Sequence, residues 1–102
     1  MSQKKKKQQN KNEARNNVAV SFLPHGWAEY QYWSDNDANK HQSINVLIAA
    51  ILRDPFKGIG RPEPLKGDLT GYWSRRIDKE HRLVYCYEDG TLTVISCRYH
   101  YS

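Results

Sequence analysis

The sequence predicts a two-layer α+β domain, in which a strand and two helices precede an antiparallel sheet on which the helices pack. Three observations indicate this fold. Apolar residues recur at helical spacing between residues 37 and 54, strand-like runs fill most of residues 72–99, and the turn dipeptide Asp89–Gly90 separates the last two runs. A chain of 102 residues has room for one such domain.

A strand and a short aromatic helix are the first two predicted elements. Residues 17–24, NVAVSFLP, form an apolar run that contains a terminal proline. In residues 25–36, Trp27, Tyr30 and Trp33 recur every three residues, which favours a helix with an aromatic face. Trp27 and Trp33, like Trp73 later in the chain, are interpreted as core residues rather than as platforms for stacked bases.

The second helix has the clearest periodicity in the chain. Its apolar residues lie at i, i+3, i+4, i+7 and i+8, and they are Ile44, Leu47, Ile48, Ile51 and Leu52. Asp35, Asn36 or Asp37 can cap its N terminus, and Pro55 is expected to end it. His41 lies one turn before the stripe and is interpreted as a rim residue of the core rather than as a ligand.

The remaining chain is predicted to be a loop followed by three strands. Residues 56–71 are rich in glycine and proline, so they are expected to form a loop, stiff at residues 62–64. The strand-like runs are residues 72–78, 81–88 and 91–99.

A two-residue turn at Asp89–Gly90 fixes the expected pairing of the last two strands. Glu88 then faces Thr91, Cys86 faces Thr93 and Arg82 faces Cys97. This register brings the final residues RYHY beside the segment KEHR, so strand pairing alone can hold His100 near Arg82. Cys86 and Cys97 do not face each other, and two buried free thiols are favoured over a disulfide or a metal site.

The basic charge is concentrated at the N terminus. Residues 1–17 contain six basic residues and one acidic residue, which accounts for the whole net charge of +5. This segment is almost free of apolar residues, so we expect a disordered basic tail at 1–17 and a folded domain at 18–102. The tail is either a solvated extension or a polycation that increases non-specific affinity for RNA or ribosomes.

Several classes of protein are disfavoured by the sequence. No apolar run approaches the ~20 residues of a membrane span, and the basic start is not followed by the apolar stretch of a signal peptide. We therefore expect a cytoplasmic protein without membrane association. There is no nucleophile motif, phosphate-binding loop, paired-carboxylate pattern or metal-ligand spacing, so neither a metal nor another cofactor is expected.

The candidate chemical groups are one carboxylate on a stiff loop, arginines on strands and a terminal His–Tyr pair. These groups suit the cleavage of RNA by its own 2′-hydroxyl. That reaction needs a general base, a general acid and cations around the pentacovalent phosphate, and it needs no metal or covalent intermediate.

Residues 58–101, GIGRPEPLKGDLTGYWSRRIDKEHRLVYCYEDGTLTVISCRYHY, resemble the YoeB/Txe family of ribosome-dependent mRNA interferase toxins in the RelE superfamily. The motifs RPEPLK, GYWSRRI, EHRLVY and CRYHY carry the resemblance. It continues more loosely to about Val18 through WAEYQYW, so only the tail and Ser102 lie outside it. The family usually ends at the tyrosine, and Ser102 therefore moves the terminal carboxylate one residue away from Tyr101.

The resemblance implies a RelE-like fold and four catalytic residues. Glu63 matches the general base, Arg82 matches the arginine that stabilises charge on the phosphate, and His100 matches the general acid for the leaving 5′-oxygen. Tyr101 matches a tyrosine that orients His100 or the phosphate. The implied function is that of a type II toxin–antitoxin toxin, an endoribonuclease that cleaves mRNA in the ribosomal A site and inhibits translation.

The resemblance also implies cationic residues around the scissile phosphate. Lys66 and Arg76 match RNA-binding positions that flank it. Arg75, Arg61 and Lys57 are interpreted as ribosome-facing or solvated positions.

The implied partners are the ribosome, mRNA and a cognate YefM/Axe-like antitoxin. DNA is expected only indirectly, through the antitoxin complex. A homodimer is expected through the exposed aromatic face of the first helix. The alternative function is a non-cleaving RNA- or ribosome-binding module of the same fold.

Overall fold

The computed structural model describes residues 19–100, so the basic tail, the boundary after residue 17, Tyr101 and Ser102 lie outside the described residues. The elements in chain order are β1 (Ala19–Phe22), α1 (Pro24–Asn36), α2 (Ala38–Arg53), β2 (Glu63–Pro64), β3 (Trp73–Arg76), β4 (Arg82–Glu88) and β5 (Thr91–Ser96). A short 3₁₀ turn at Gly67–Leu69 connects β2 to β3.

The five strands form one sheet in the order β1-β5-β4-β3-β2. Strands β2 to β5 pair antiparallel, whereas β1 pairs parallel with β5. The predicted antiparallel C-terminal sheet is confirmed, and the parallel edge strand β1 makes the whole sheet mixed. The prediction that residues 56–71 form only loop is wrong at β2, which is too short to leave a periodic pattern in the sequence.

The predicted hairpin between β4 and β5 is present. Asp89 and Gly90 have φ values of 51° and 79°, the left-handed backbone that a tight two-residue hairpin requires. Glu88 faces Thr91, as the sequence predicts. Cys86 likewise faces Thr93, and both cysteines are free thiols. Only Cys97 is buried, so the prediction of two buried thiols is wrong for Cys86, which is half-buried.

A β-bulge changes the register farther along the same pair of strands. Tyr85 faces Val94, but Val84 faces Ser96, so β5 contains one extra residue at Ile95. The prediction that Arg82 faces Cys97 is therefore wrong. The backbone N–H of Arg82 instead donates to the carbonyl of Tyr99 at 3.1 Å, and the C-terminal residues still lie beside the segment that precedes β4.

The core lies between the helices and one face of the sheet. The predicted stripe of α2 is confirmed, because Ile44, Leu47 and Ile51 are buried there. Their partners in the core cluster are Trp33, Leu83, Tyr85, Leu92, Val94 and Cys97. The cap of α2 is Asp37, whose Oδ1 accepts from the N–H of Lys40 at 3.1 Å.

Helix α1 lies unusually close to β5. A Cβ added at Gly26 would lie 2.7 Å from the carbonyl oxygen of Val94, so only glycine permits this approach. Trp33 is buried, as predicted, and Trp73 packs against the core, but Trp27 is 46% exposed and its interpretation as a core residue is wrong. Trp27 lies about 100° around α1 from the buried Gly26, and its ring packs at the edge of the core against Phe22 and Tyr30.

His41 is half-buried and its ring lies against Tyr30, which agrees with its interpretation as a rim residue. None of the helices in residues 19–100 is long and apolar enough to cross a membrane.

Candidate active site

The strand register brings three of the predicted site residues onto one face of the sheet. Glu63 of β2 faces Ser74 of β3, and Arg76 of β3 faces Arg82 of β4. Directly opposed residues point to the same side of a sheet, and so do residues two apart on one strand. Glu63, Arg76 and Arg82 therefore share a face.

This shared face is the one that the helices do not cover. The residues that alternate with it, Arg75 on β3 and Leu83 on β4, are fully buried, and Leu83 belongs to the core cluster with α2. Arg76 is exposed and Arg82 is half-buried. Ser74 and Val84 share this face but are buried, so only part of the face is accessible, and the site residues lie in that part.

The spacing of the strands sets the size of the site. Glu63 and Arg82 lie on strands separated by β3, and their partners on β3 are two residues apart, so their backbones are about 12 Å apart. Arg76 lies on the strand between them. This separation leaves room for a phosphodiester group over β3.

The backbone around Glu63 is held on both sides. Pro62 and Pro64 restrict it, the N–H of Leu65 donates to the carbonyl of Tyr72 at 2.9 Å, and the N–H of Arg76 donates to the carbonyl of Gly60 at 2.6 Å. Glu63 is exposed at the edge strand. A carboxylate on such a braced backbone is suited to act as a positioned base.

Lys66 lies three residues after Glu63 and is the last residue before the 3₁₀ turn. It is exposed, so its ammonium group is accessible to an anion beside Glu63.

The interpretation of Arg75 as a ribosome-facing or solvated residue is wrong. It is completely buried, because strand alternation turns it toward the core when Arg76 faces outward. Its Nη2 donates to the carbonyls of Asp54 (2.6 Å) and Lys57 (3.0 Å), and its Nη1 donates to that of Ile59 (3.2 Å). The guanidinium therefore organises the loop that leads from α2 to Glu63.

Tyr85 completes this network. Its hydroxyl accepts from Nε of Arg75 at 3.1 Å and donates to the carbonyl of Pro55 at 2.7 Å. Burial raises the pKa of this phenol, and the hydrogen bond from Arg75 opposes the shift. The Arg75–Tyr85 pair thus holds four carbonyls of one loop.

Arg82 is fixed at the start of β4. Its Nη1 donates to the carbonyls of Asp78 at 2.7 Å and His81 at 3.0 Å, and its backbone N–H binds Tyr99. The guanidinium is therefore held in place before any substrate arrives.

The loop between β3 and β4 is anchored to α2 by the ion pair of Asp78 with Lys40. Burial by itself would raise the pKa of Asp78. The Lys40 ammonium and the backbone N–H groups of His81 and Glu80 outweigh burial and lower this pKa to about 2.

The C-terminal segment, residues 97–100, begins at Cys97, whose backbone groups form hydrogen bonds with two side chains of α1. The N–H of Cys97 donates to Oε1 of Glu29 at 2.8 Å, and its carbonyl accepts from Nε1 of Trp33 at 2.8 Å. Burial raises the pKa of the Cys97 thiol to about 12, and the nearby Glu29 carboxylate adds to this shift. The thiol therefore stays protonated and plays a packing role.

The next two residues continue this docking. The Arg98 guanidinium lies 3.7 Å from the centre of the Tyr32 ring. The N–H of Tyr99 donates to Nδ1 of His81 at 2.6 Å. Tyr99 has a φ of 62°, a left-handed conformation that costs a non-glycine residue about 1 kcal/mol or more, so the flanking contacts must maintain it.

His100 follows Tyr99 and is exposed at the end of the described chain. The segment lies beside Arg82, so the structure brings the predicted acid, both predicted arginines and Glu63 to the same part of the sheet. Tyr101 lies outside the described residues. Within residues 19–100, no three His, Cys, Asp or Glu side chains are grouped so that they could hold a metal ion.

Three contributors to this arrangement were missed from the sequence: Arg75, His81 and Glu29. Strand alternation in WSRR could have identified Arg75 as buried. His81 and Glu29 act through contacts across 18 and 68 residues of chain, and no local pattern reveals such contacts.

Two helices packed on one face of a mixed five-stranded sheet place the chain in the RelE-like α+β fold class. A family model described as "YoeB-like toxin of bacterial type II toxin-antitoxin system" matches residues 22–101. The chain therefore belongs to the YoeB-like toxins of type II toxin–antitoxin systems.

Individual relatives agree with this assignment. A Toxin YoeB of Streptomyces coelicolor is 57% identical over 84 residues, which cover 82% of this chain and 100% of the relative. A YoeB dimer from Staphylococcus aureus is 44% identical with a TM-score of 0.78, covering 83% of this chain and 99% of the other. The toxin of a heterotetrameric YoeB–YefM complex from the same species is 45% identical with a TM-score of 0.77, covering 82% and 98%.

Proposed function

We propose that this chain is a ribosome-dependent endoribonuclease that cleaves mRNA in the ribosomal A site and so inhibits translation in the cytoplasm. The observation that carries the proposal is the placement of Glu63, Arg76 and Arg82 on the sheet face opposite the helices, next to the segment that ends in His100. Membership of a toxin family supports it.

The proposed reaction uses the RNA as its own nucleophile. Glu63 removes the proton from a ribose 2′-hydroxyl, which attacks the adjacent phosphorus atom. His100 donates a proton to the leaving 5′-oxygen, and Tyr101 orients His100 or the phosphate. Acid and base catalysis of this kind each contribute about 10²–10⁴-fold to a rate.

Cations stabilise the charge that develops on the phosphate. Arg82 is held ready by the carbonyls of Asp78 and His81, so it needs little reorganisation during the reaction. Arg76 and Lys66 bind the neighbouring RNA phosphates. This mechanism is complete without a metal ion.

An antitoxin is the proposed regulator of this site. The S. aureus relative is described in a heterotetrameric complex with YefM, and we place a YefM/Axe-like partner on this chain as well. An acidic segment of such a partner would pair with Arg76 and Arg82 and block access to the RNA. Contact with DNA would occur only through that complex.

A homodimer is also proposed, through the exposed side of α1. Trp27 is 46% exposed, Val20 and Leu23 of the preceding segment are 41% and 42% exposed, and a S. aureus relative is described as a dimer. Sedimentation equilibrium should give twice the monomer mass for the wild-type chain and a weaker dimer for Trp27→Ser. A monomeric wild-type chain at micromolar concentration would contradict this proposal.

Primer extension on an mRNA in a reconstituted translation system tests the enzymatic function. We expect cut ends within the A-site codon and no efficient cutting of free mRNA. Glu63→Gln and His100→Gln should each lower the rate by at least about 100-fold, while ribosome affinity stays within a few-fold.

Glu88→Gln and His41→Gln are the matched controls, because Glu88 lies at the far end of β4 and His41 on the rim of the core. Both should cut at the wild-type rate. Arrested translation without cut ends would instead favour the non-cleaving binding module.

A further inference from the structure

We propose that His81 is a positioning residue that fixes the C-terminal segment, and through it the placement of His100. The contact itself is independent of the enzymatic function, whereas its catalytic consequence rests on the function proposed above. His81 is 7% exposed and lies in the loop between β3 and β4.

The contact is a backbone anchor. Nδ1 of His81 accepts the N–H of Tyr99 at 2.6 Å. A ring nitrogen accepts a hydrogen bond only when it carries no proton, so this contact requires Nδ1 to be the acceptor nitrogen of the ring. Since the donor is a main-chain group, the imidazole fixes the path of the chain rather than one side chain.

His81 is itself held on several sides. Its N–H donates to Oδ1 of Asp78 at 2.7 Å, and its carbonyl accepts from the N–H of Ile77 and from Nη1 of Arg82, each at 3.0 Å. Its ring packs edge-on against Trp33, with 4.8 Å between the centroids. The same residue therefore contacts both the predicted phosphate-binding arginine and the segment that carries the predicted acid.

The conformation of Tyr99 explains why this anchor matters. Its φ of 62° is unfavourable for a tyrosine, yet both of its backbone groups are bonded, the N–H to His81 and the carbonyl to the N–H of Arg82. Loss of the first bond would let the backbone relax and move His100, the next residue. A displacement of about 1 Å at a reacting group can cost about 100-fold in rate.

Two substitutions distinguish the role of His81 as a hydrogen-bond acceptor from the role of its ring in packing. His81→Phe keeps a planar ring without an acceptor, whereas His81→Asn places an oxygen close to the position of Nδ1. We expect His81→Phe to lower kcat for ribosome-dependent cleavage by about 100-fold with KM within a few-fold. We expect His81→Asn to restore most of that loss, and His41→Phe to match the wild type.

Hydrogen exchange provides a readout that does not depend on catalysis. The Tyr99 amide should exchange at least about 10-fold faster in His81→Phe than in the wild type, while amides of the core strands keep their protection. If the wild-type chain does not cleave mRNA, the enzymatic proposal fails, and the exchange rate still decides whether His81 holds the segment.

A backbone change tests the same bond if His81→Phe does not fold. Ligation of residues 1–96 to a six-residue peptide that begins at the native Cys97 gives the full chain, and an ester in place of the Arg98–Tyr99 amide removes only the N–H of Tyr99. This protein should lose activity as His81→Phe does. Wild-type kcat in the ester protein, or unchanged Tyr99 exchange in a folded His81→Phe, would overturn the proposal.

Discussion

Arg75 and Arg76 are adjacent arginines with opposite environments. Arg76 is exposed on the candidate site, whereas Arg75 is buried with its donors on backbone carbonyls and on the Tyr85 hydroxyl. No carboxylate appears among the hydrogen-bond partners that residues 19–100 give Arg75. A buried cation satisfied by carbonyl dipoles ties the loop before Glu63 to the strand that carries Arg76.

Substitutions in this network should destabilise the protein in a definite order. Arg75→Met leaves three carbonyls without their donor and should cost about 3 kcal/mol of unfolding free energy. Tyr85→Phe removes one donor and one acceptor and should cost about 1–2 kcal/mol. Urea denaturation followed by circular dichroism measures both.

Tyr87→Phe is the matched control, since Tyr87 is a partly buried tyrosine of the same strand. It should change stability by less than about 0.5 kcal/mol. Equal stabilities for Arg75→Met and Tyr87→Phe would show that the buried network contributes nothing.

At the scale of elements, the loop between β3 and β4 connects most parts of the site. Asp78 pairs with Lys40 of α2 and accepts the N–H groups of Glu80 and His81, and Arg82 binds the Asp78 carbonyl. The conformation of this loop therefore depends on an ionised Asp78.

This dependence predicts a loss of stability in acid. The pKa of Asp78 is about 2 in the folded chain, below its usual value of 3.8, so the unfolded chain binds more protons between these values. The stabilisation is complete above about pH 5 and is lost as pH falls toward 2. After allowance for the partial exposure of the pair, it amounts to about 1–2 kcal/mol.

Urea denaturation between pH 7 and pH 2.5 checks this prediction. Asp78→Asn should be less stable than the wild type at pH 7, and the difference should shrink as the pH falls. Asp35→Asn, at an exposed position near the end of α1, should leave the wild-type pH profile unchanged. A difference between Asp78→Asn and wild type that is constant with pH would argue against an ionised, paired Asp78.

The elements also show how much of the fold could be predicted from the sequence. The α2 stripe, the Asp89–Gly90 turn and the antiparallel strands follow from local periodicity and turn chemistry, so they were predictable. The bulge at Ile95 was not, because one extra residue in an apolar run leaves no mark on composition. It shifted the expected partner of Arg82 from Cys97 to the residues beyond it.

The candidate site was predictable only in part, for a similar reason. Glu63, Arg82 and His100 were selected by their motifs, and the structure brings their segments together. Their shared face depends on β2, a two-residue strand inside a glycine- and proline-rich segment. The supporting residues Glu29 and His81 depend on tertiary contacts that sequence periodicity does not contain.

At the scale of the whole molecule, charge is distributed unevenly along the chain. Residues 1–17 contain six basic residues and one acidic residue, and the rest of the chain is balanced at ten of each. Long-range attraction to a polyanion such as the ribosome should therefore come mainly from the N-terminal segment. Arg76, Arg82 and Lys66 would act at short range, once the RNA is in the site.

Salt dependence distinguishes these two contributions. Each phosphate contact made by a basic residue releases counterions, so the slope of log affinity against log salt concentration reports the number of such contacts. Deletion of residues 1–17 should reduce the magnitude of this slope for ribosome binding by up to about 4, because six basic side chains are lost. Replacement of Lys4, Lys5, Lys6 and Lys7 by glutamine, which keeps the length, should reduce it by up to about 3.

Cleavage of mRNA on saturated ribosomes should be unaffected by either change, since the proposed catalytic groups lie in residues 63–101. Arg76→Gln is the opposite case: it should change the slope by about 1 or less and lower the cleavage rate. Binding measured between 50 and 300 mM salt, with cleavage measured at saturation, separates the two effects. A slope that does not change on deletion would assign the tail no electrostatic role and place ribosome attraction on the sheet face itself.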